Sequence, residues 1–209
     1  MKRVIKRCSN CIDIGCHKGK VLDKIISLAP EGRHWAFEPL PDLYAALCSK
    51  YTRRNITILP YALSNAAGSS VFKHVKNAPG YSGFRRRTYH IPFPQLEDIM
   101  VSKEKLDTLI PPDIKIDFIK MDVEGAESEV FAGAAETILR NKPVIIFEHG
   151  IGAAPHYGTN PDEVFNHITN CNMQISTLHD WLHGNPPLNQ AEFSRQFFKD
   201  LNYYFIAHV

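Results

Sequence analysis

The sequence predicts an α/β fold built on a mostly parallel sheet. Two observations carry this expectation. Short apolar runs alternate with amphipathic helical stretches from residue 11 onward, and charged residues gather where the apolar runs end. The opening order is strand, helix, strand, helix, strand. Parallel neighbours need crossover connections of this kind, and such crossovers are right-handed.

The elements follow in order. Residues 11–15 form a short buried strand ending at Gly15. Residues 18–28 carry Val21, Leu22, Ile25 and Ile26, the apolar stripe of a helix. Pro30, Glu31 and Gly32 end it, and a second strand runs from His34 to Phe37 with Glu38 at its carboxyl end. Residues 41–51 place Leu43, Tyr44, Leu47 and Tyr51 on one helical face, and a third strand covers Ile56 to Leu59. Residues 71–75 read as an extra strand. Residues 77–98 hold Pro79, Gly80, Gly83, Pro92 and Pro94 without a clean period. A loop this long within a compact domain usually serves function or is disordered. Strands are expected again at 116–121 and 143–147, separated by a helix over 127–140 that breaks near Gly133. Asn160 and Pro161 start a further helix to about residue 170, with a polar cap, proline in the first turn and acids after it. Strands over 173–177 and 203–207 close the chain, with a helix over 190–200 between them.

A chain of 209 residues favours a single domain, here expected to span 1–209 with a long insertion at about 77–98. With 24 basic and 22 acidic residues the net charge is +2, which offers no basic stripe for a nucleic-acid partner. No apolar run reaches the ~18 residues of a membrane span, and the basic amino-terminal residues lack the apolar segment of a signal peptide. Five cysteines in a chain too long to be a disulfide scaffold suit a reducing, cytoplasmic compartment.

Four stretches carry the chemistry. The first, Ile12-Asp13-Ile14-Gly15-Cys16-His17-Lys18-Gly19, is a strand entering a glycine turn and then a helix. A dinucleotide site wants glycines spaced G-x-G-x-x-G around a pyrophosphate. Here His17 occupies the second glycine position, so the turn suits a ligand without pyrophosphate, such as the methionine part of S-adenosyl-L-methionine. Asp13 is placed to meet the cationic amino end of such a ligand; an ordinary strand-to-helix turn is the plainer alternative. The second stretch, Phe37-Glu38-Pro39, puts an acid about 20 residues past the glycine turn, where nucleotide-binding α/β folds accept ribose hydroxyls. The third is the run from Asp117 to Glu127, Asp-Phe-Ile-Lys-Met-Asp-Val-Glu-Gly-Ala-Glu. It crowds Asp122, Glu124 and Glu127 at a strand end, with Lys120 to balance them. Three carboxylates are also the chemistry of a hard divalent cation, although no metal is assigned. The fourth, Ile146-Phe147-Glu148-His149, brings His149 to the same rim, where a histidine serves as a general base unless it is structural.

These stretches resemble the FkbM-type methyltransferases. The likeness rests on Ile12-Asp13-Ile14-Gly15-x-x-x-Gly19, on Phe37-Glu38-Pro39, on Ala62-Leu63-Ser64 and above all on Lys120-x-Asp122-x-Glu124-Gly125-x-Glu127, and it covers roughly residues 11–150. The resemblance implies a class I, Rossmann-like fold with a seven-stranded sheet whose last strand is antiparallel. It implies S-adenosyl-L-methionine held by the turn at Asp13, Gly15, Cys16 and Gly19. Glu38 and Pro39 would then lie at the ribose, and Ala62, Leu63 and Ser64 near the adenine. It also implies methyl transfer to a hydroxyl of a small molecule or sugar, with Asp122, Glu124 and His149 as candidate proton acceptors. Two departures stand out. Only ten residues precede the first strand, so the cover over the acceptor is expected from residues 77–98 or from a second subunit in a homo-oligomer. Cys16-His17-Lys18 replaces the small neutral residues common in the turn.

Weaker signals remain. Cys8-x-x-Cys11 followed by Cys16-His17 has a zinc-like look, but Cys11 and Cys16 bracket a buried strand and converge poorly. Arg85-Arg86-Arg87 is either a clamp for an anionic group or a solvated loop cluster. An NAD(P)-linked oxidoreductase and a non-catalytic binding protein are the competing functional readings.

Overall fold

A computed structural model describes residues 1–209. Ten strands and eight α-helices follow one another as β1 (Cys11–Ile14), α1 (Lys20–Leu28), β2 (His34–Phe37), α2 (Pro41–Lys50), β3 (Ile56–Leu59), β4 (Tyr61–Leu63), β5 (Gly68–Val75), β6 (Leu96–Glu104), α3 (Leu106–Leu109), β7 (Phe118–Met121), α4 (Glu127–Gly133), α5 (Ala135–Asn141), β8 (Val144–Glu148), α6 (Pro161–Asn170), β9 (Gln174–Thr177), α7 (Leu178–His183), α8 (Gln190–Phe198) and β10 (Tyr204–His208).

Seven strands form the main sheet in the order β3-β2-β1-β7-β8-β10-β9. All run parallel except β10, which is antiparallel to both β8 and β9. The fold is the Rossmann-like, class I architecture that the sequence predicts. The apolar runs at β1 and β2 are buried at every residue, because a parallel sheet is covered on both faces. The main core holds Ile12, Ile14, Phe37, Ile119, Met121, Phe131, Phe147 and Phe205 on one side of this sheet. Smaller clusters around Ile25 and Leu22 seat α1 on the other side. Strand order reverses between β1 and β7, and ligands of open α/β sheets bind beyond the carboxyl ends of the strands at such a point.

Helix ends follow local chemistry. The Asn160 side chain accepts a hydrogen bond from the Glu163 amide with Pro161 in the first turn, and Asn189 and Glu192 form a reciprocal capping box. The helical stretch expected over 127–140 breaks at Gly133–Ala134 into α4 and α5.

The middle of the chain departs from expectation. Residues 77–98 were expected to lack regular structure, yet Leu96 opens β6, which pairs with β5 over eight residues. With β4 these strands make a second sheet in the order β4-β6-β5. Its core is only Leu40, Ala62, Phe72 and Val101, so the sequence shows little apolar alternation. Backbone pairing carries that sheet, and backbone pairing leaves no sequence pattern. The irregular part shrinks to residues 76–95. Helix α7 was also unread. No helix is long and apolar enough to cross a membrane.

Candidate active site

The site grows from the end of β1. Gly15 turns with φ +69, and a Cβ there would stand 2.0 Å from the Asp122 carbonyl oxygen. Only glycine lets the ends of β1 and β7 approach this closely. The amides of Gly15 and Cys16 both donate to the Phe37 carbonyl at 3.1 Å, which ties the turn to the end of β2. The next amide, of His17, donates to Glu38 Oε2 at 2.8 Å, and the Leu40 amide donates to Glu38 Oε1 at 3.0 Å. Glu38 is therefore aimed by two backbone N–H groups. Each of its oxygens keeps a lone pair for another donor. Burial raises its proton affinity, and these two amide bonds pull against that rise.

Beneath the turn lies a buried ion pair. Lys120 Nζ donates to the carbonyls of Gly15 at 2.8 Å and Ile14 at 3.3 Å, and sits 3.5 Å from Asp13 Oδ1. Asp13 is fully buried, and burial pushes its carboxyl up to about 6 despite Lys120. Asp13 does not line the cavity. It faces Lys120 inside the sheet, and its charge steadies the lysine that grips the turn.

The cavity above these groups has a volume of about 490 Å³. Gly15, Cys16, Glu38, Pro39, Ala62 and Leu63 line it, as do Asp122 and Glu124. Gly19 does not: it sits at the start of α1, where its carbonyl accepts from the Tyr51 hydroxyl at 2.9 Å. Ser64 does not either. Its hydroxyl donates to Glu129 Oε2 at 2.6 Å, and its carbonyl lies under Gly133, so it joins the strand β4 end to α4. Lys18 is exposed yet reaches the cavity.

Asp122 and Glu124 diverge from Glu127. Glu124 has φ +59 and Gly125 φ +109, a sharp turn that the Glu127 side chain closes by accepting from the Gly125 amide at 3.0 Å. Glu127 is buried and lines no part of the cavity. No group of three or more His, Cys, Asp or Glu side chains gathers to hold a metal ion, so the three-carboxylate cation site does not form.

His149 is displaced furthest from its expected place. The sequence put it on the rim; the structure buries it completely, its ring 4.8 Å from that of Phe197 and 5.9 Å from that of Phe193. Its amide pairs with the Tyr203 carbonyl at 2.8 Å, which turns the side chain toward α8. The nearest charged atom is Glu127 Oε2, 3.7 Å from Nδ1. A base for an acceptor in the cavity cannot work from there. The zinc-like cysteines do not converge either: Cys8 is exposed and bonds Glu31, while Cys11 and Cys16 are buried and free.

The structure adds residues that sequence reasoning missed. Tyr61, Phe72, Phe84, Val123, Leu178 and Tyr204 also line the cavity. Tyr204 was read only as part of a core strand. Of the three arginines, Arg85 and Arg86 are exposed, whereas Arg87 turns inward and pairs with Glu124. Burial, together with Asp122, Glu148 and Glu127, pushes the Glu124 carboxyl up to about 8, against the pull of Arg87. Burial and the same acidic neighbourhood lift Glu148 to about 7.

The sequence matches the methyltransferase FkbM domain over residues 13–203. The structure is similar to methyltransferase FkbM from Methylobacillus flagellatus KT, with a TM-score of 0.61 and 18% identity over 98% of this chain. The chain spans 44% of the length of that protein. It is more distantly similar to Aeropyrum pernix fibrillarin, solved with natively bound S-adenosyl-L-methionine, with a TM-score of 0.49, 13% identity, and 98% and 67% of the two chains covered. A putative rRNA methylase from Clostridium thermocellum gives a TM-score of 0.49 and 11% identity over 99% and 88% of the chains. No curated protein matches the sequence.

Proposed function

The chain belongs to the FkbM methyltransferase family, and from that premise we propose that it moves a methyl group from S-adenosyl-L-methionine to a hydroxyl of a small molecule or sugar. One observation carries the reading. Glu38 is held by the His17 and Leu40 amides at the cavity wall, beside a turn whose second dinucleotide glycine is replaced by histidine. That wall offers a fixed acceptor for paired hydroxyls and no cradle for a pyrophosphate, which argues against an NAD(P) enzyme.

The residues present fit the adenosyl donor. A volume near 490 Å³ lies within the usual range of ligand pockets. His17 Nε2 is buried with no partner in the protein, an orphan that a bound ligand would satisfy. Gly15 and Cys16 would flank the methionine part, Glu38 and Pro39 the ribose, and Ala62 and Leu63 the base. When bound, this donor supplies an electrophilic methyl group on a sulfonium.

The chain's own contribution is position and proton removal. Tyr61, Phe72 and Phe84 give the cavity an apolar wall that excludes water and narrows the approach of an acceptor. Asp122 and Glu124 line the cavity and are the groups able to take the hydroxyl proton. Residues 1–209 act as one methyltransferase domain, with the segment around 77–98 covering the acceptor. The five cysteines stand free, which supports a reducing, cytoplasmic setting.

The test is incubation with S-adenosyl-L-methionine carrying a ¹³C methyl group and a mixed pool of sugars and polyhydroxylated small molecules. Label appearing in an O-methyl NMR signal is the expected result. Label on nitrogen contradicts the acceptor class, and firm donor binding without turnover on any pool favours a binding protein.

A further inference from the structure

Arg87 comes from the segment between β5 and β6, yet its side chain is only 8% exposed and ends on Glu124 at the carboxyl end of β7. Several contacts bring it there. Gly83 pairs with Lys73 of β5 through both backbone groups. The Phe84 amide donates to the Tyr157 hydroxyl at 2.9 Å. The Tyr157 ring in turn lies over Gly125, where a Cβ would come within 2.7 Å of it. The Arg87 guanidinium lies 5.0 Å from the centre of the Tyr81 ring. An arginine on a segment held by these contacts, buried over the Tyr81 ring and aimed at one carboxylate beside the cavity, is more than a loop charge.

The groups around Glu124 explain the need for it. Asp122 precedes it on the same turn, Glu127 follows on α4, and Glu148 ends β8 beside Tyr204. All three are acidic, and Lys120 is engaged with the carbonyls of the glycine turn. Arg87 is the cation that meets Glu124 directly. We infer that Arg87 is the positioning residue that fixes the Glu124 carboxylate at the cavity wall and keeps it able to accept a proton from the acceptor. The inference rests on the O-methylation reading for its catalytic meaning, but the ion pair has its own readout. A carboxyl that titrates near 8 is a stronger base than an ordinary carboxylate, and with the arginine in place its titration stays within the reach of physiological pH, where a minor fraction is ionised. Loss of the arginine would carry it beyond that range.

The experiment is a ¹³C NMR titration of protein labelled at glutamate side-chain carboxyls, with the Glu124 signal assigned by its loss in Glu124→Gln. Wild type, Arg87→Gln and Arg87→Lys are compared, and the pH profile of methyl transfer is recorded for each. In Arg87→Gln the Glu124 midpoint is expected to rise by about one pH unit or more, and the rising limb of the rate profile to move with it. Arg87→Lys should recover most of both shifts. S-adenosylhomocysteine affinity should stay within about twofold, which also reports that the variants are folded. An unmoved Glu124 midpoint in folded Arg87→Gln overturns the inference, as does a lysine variant that behaves like the glutamine one. A midpoint that moves in a protein that methylates no hydroxyl upholds the ion-pair assignment and sinks the O-methylation reading instead.

Discussion

The two flanks of the cavity are held by different kinds of contact. On the donor flank, nearby backbone amides do the holding: the Gly15 and Cys16 amides reach the Phe37 carbonyl, and the His17 and Leu40 amides aim the Glu38 carboxylate. On the acceptor flank, side chains bridge segments far apart in sequence. Arg87 meets Glu124, and Tyr157 meets Phe84. The first arrangement holds one small ligand in one pose. The second can change its acceptor by changing loop side chains, since loops vary while scaffolds hold.

This contrast can be broken by substitution. The largest effect is expected from Gly15→Ala, which drives a methyl group into the Asp122 carbonyl. Overpacking of this kind costs about 3 kcal/mol, and for a chain of this length lowers Tm by roughly 6–12 °C. Calorimetric melting and donor binding should fail together. Next is Glu38→Ala. It should leave the fold standing while the rise in Tm given by saturating S-adenosylhomocysteine largely disappears, because two aimed amides lose their acceptor along with the ligand. On the other flank, Tyr157→Phe removes the acceptor for the Phe84 amide. An acceptor-specific fall of about tenfold in kcat/KM, with donor affinity unchanged, is expected from steady-state kinetics. Equal losses for donor and acceptor would erase the distinction between the flanks.

How far the site was legible follows the same divide. Gly15 and Glu38 were readable because each is marked within a few residues by a strand, a turn and a following helix. Alternating apolar and helical runs likewise announced the mostly parallel sheet, while its seven strands came from the family resemblance. His149 was misplaced because adjacency to β8 suggested the rim, whereas the hydrogen bond from its amide to the Tyr203 carbonyl turned it into the core. Asp13 sits on a strand, where the next side chain but one faces the same way; its burial against Lys120 depends on β7, more than a hundred residues on. Arg87 could not be paired from sequence, since Glu124 lies 37 residues away on another element. Strand β6 escaped because only a four-residue core lies behind its sheet.

Smaller effects sharpen the account. His149→Gln should cost about 1–2 kcal/mol from lost stacking on Phe197 and Phe193, and leave the pH dependence of turnover unmoved. A flattened pH profile would restore that residue as the base. A further effect is on stability against pH. The Glu124 carboxyl binds its proton more tightly folded than unfolded, with a midpoint raised from 4.5 to about 8. Its contribution is therefore present in full below 4.5 and is lost as pH rises through about 8. Asp13 acts with the same sign, from 3.8 to about 6. Urea unfolding of Glu124→Gln should accordingly show a shallower decline between about pH 4.5 and 8 than wild type.

The claim beneath all of this is that the rim of β1 and β2 is built for an adenosyl sulfonium. Isothermal titration calorimetry of the wild-type protein with S-adenosyl-L-methionine, S-adenosylhomocysteine and NADH tests it directly. One-to-one binding of the first two and no heat from NADH is the expected result. A folded protein that binds neither adenosyl compound, or that binds NADH as well as it binds them, contradicts the account.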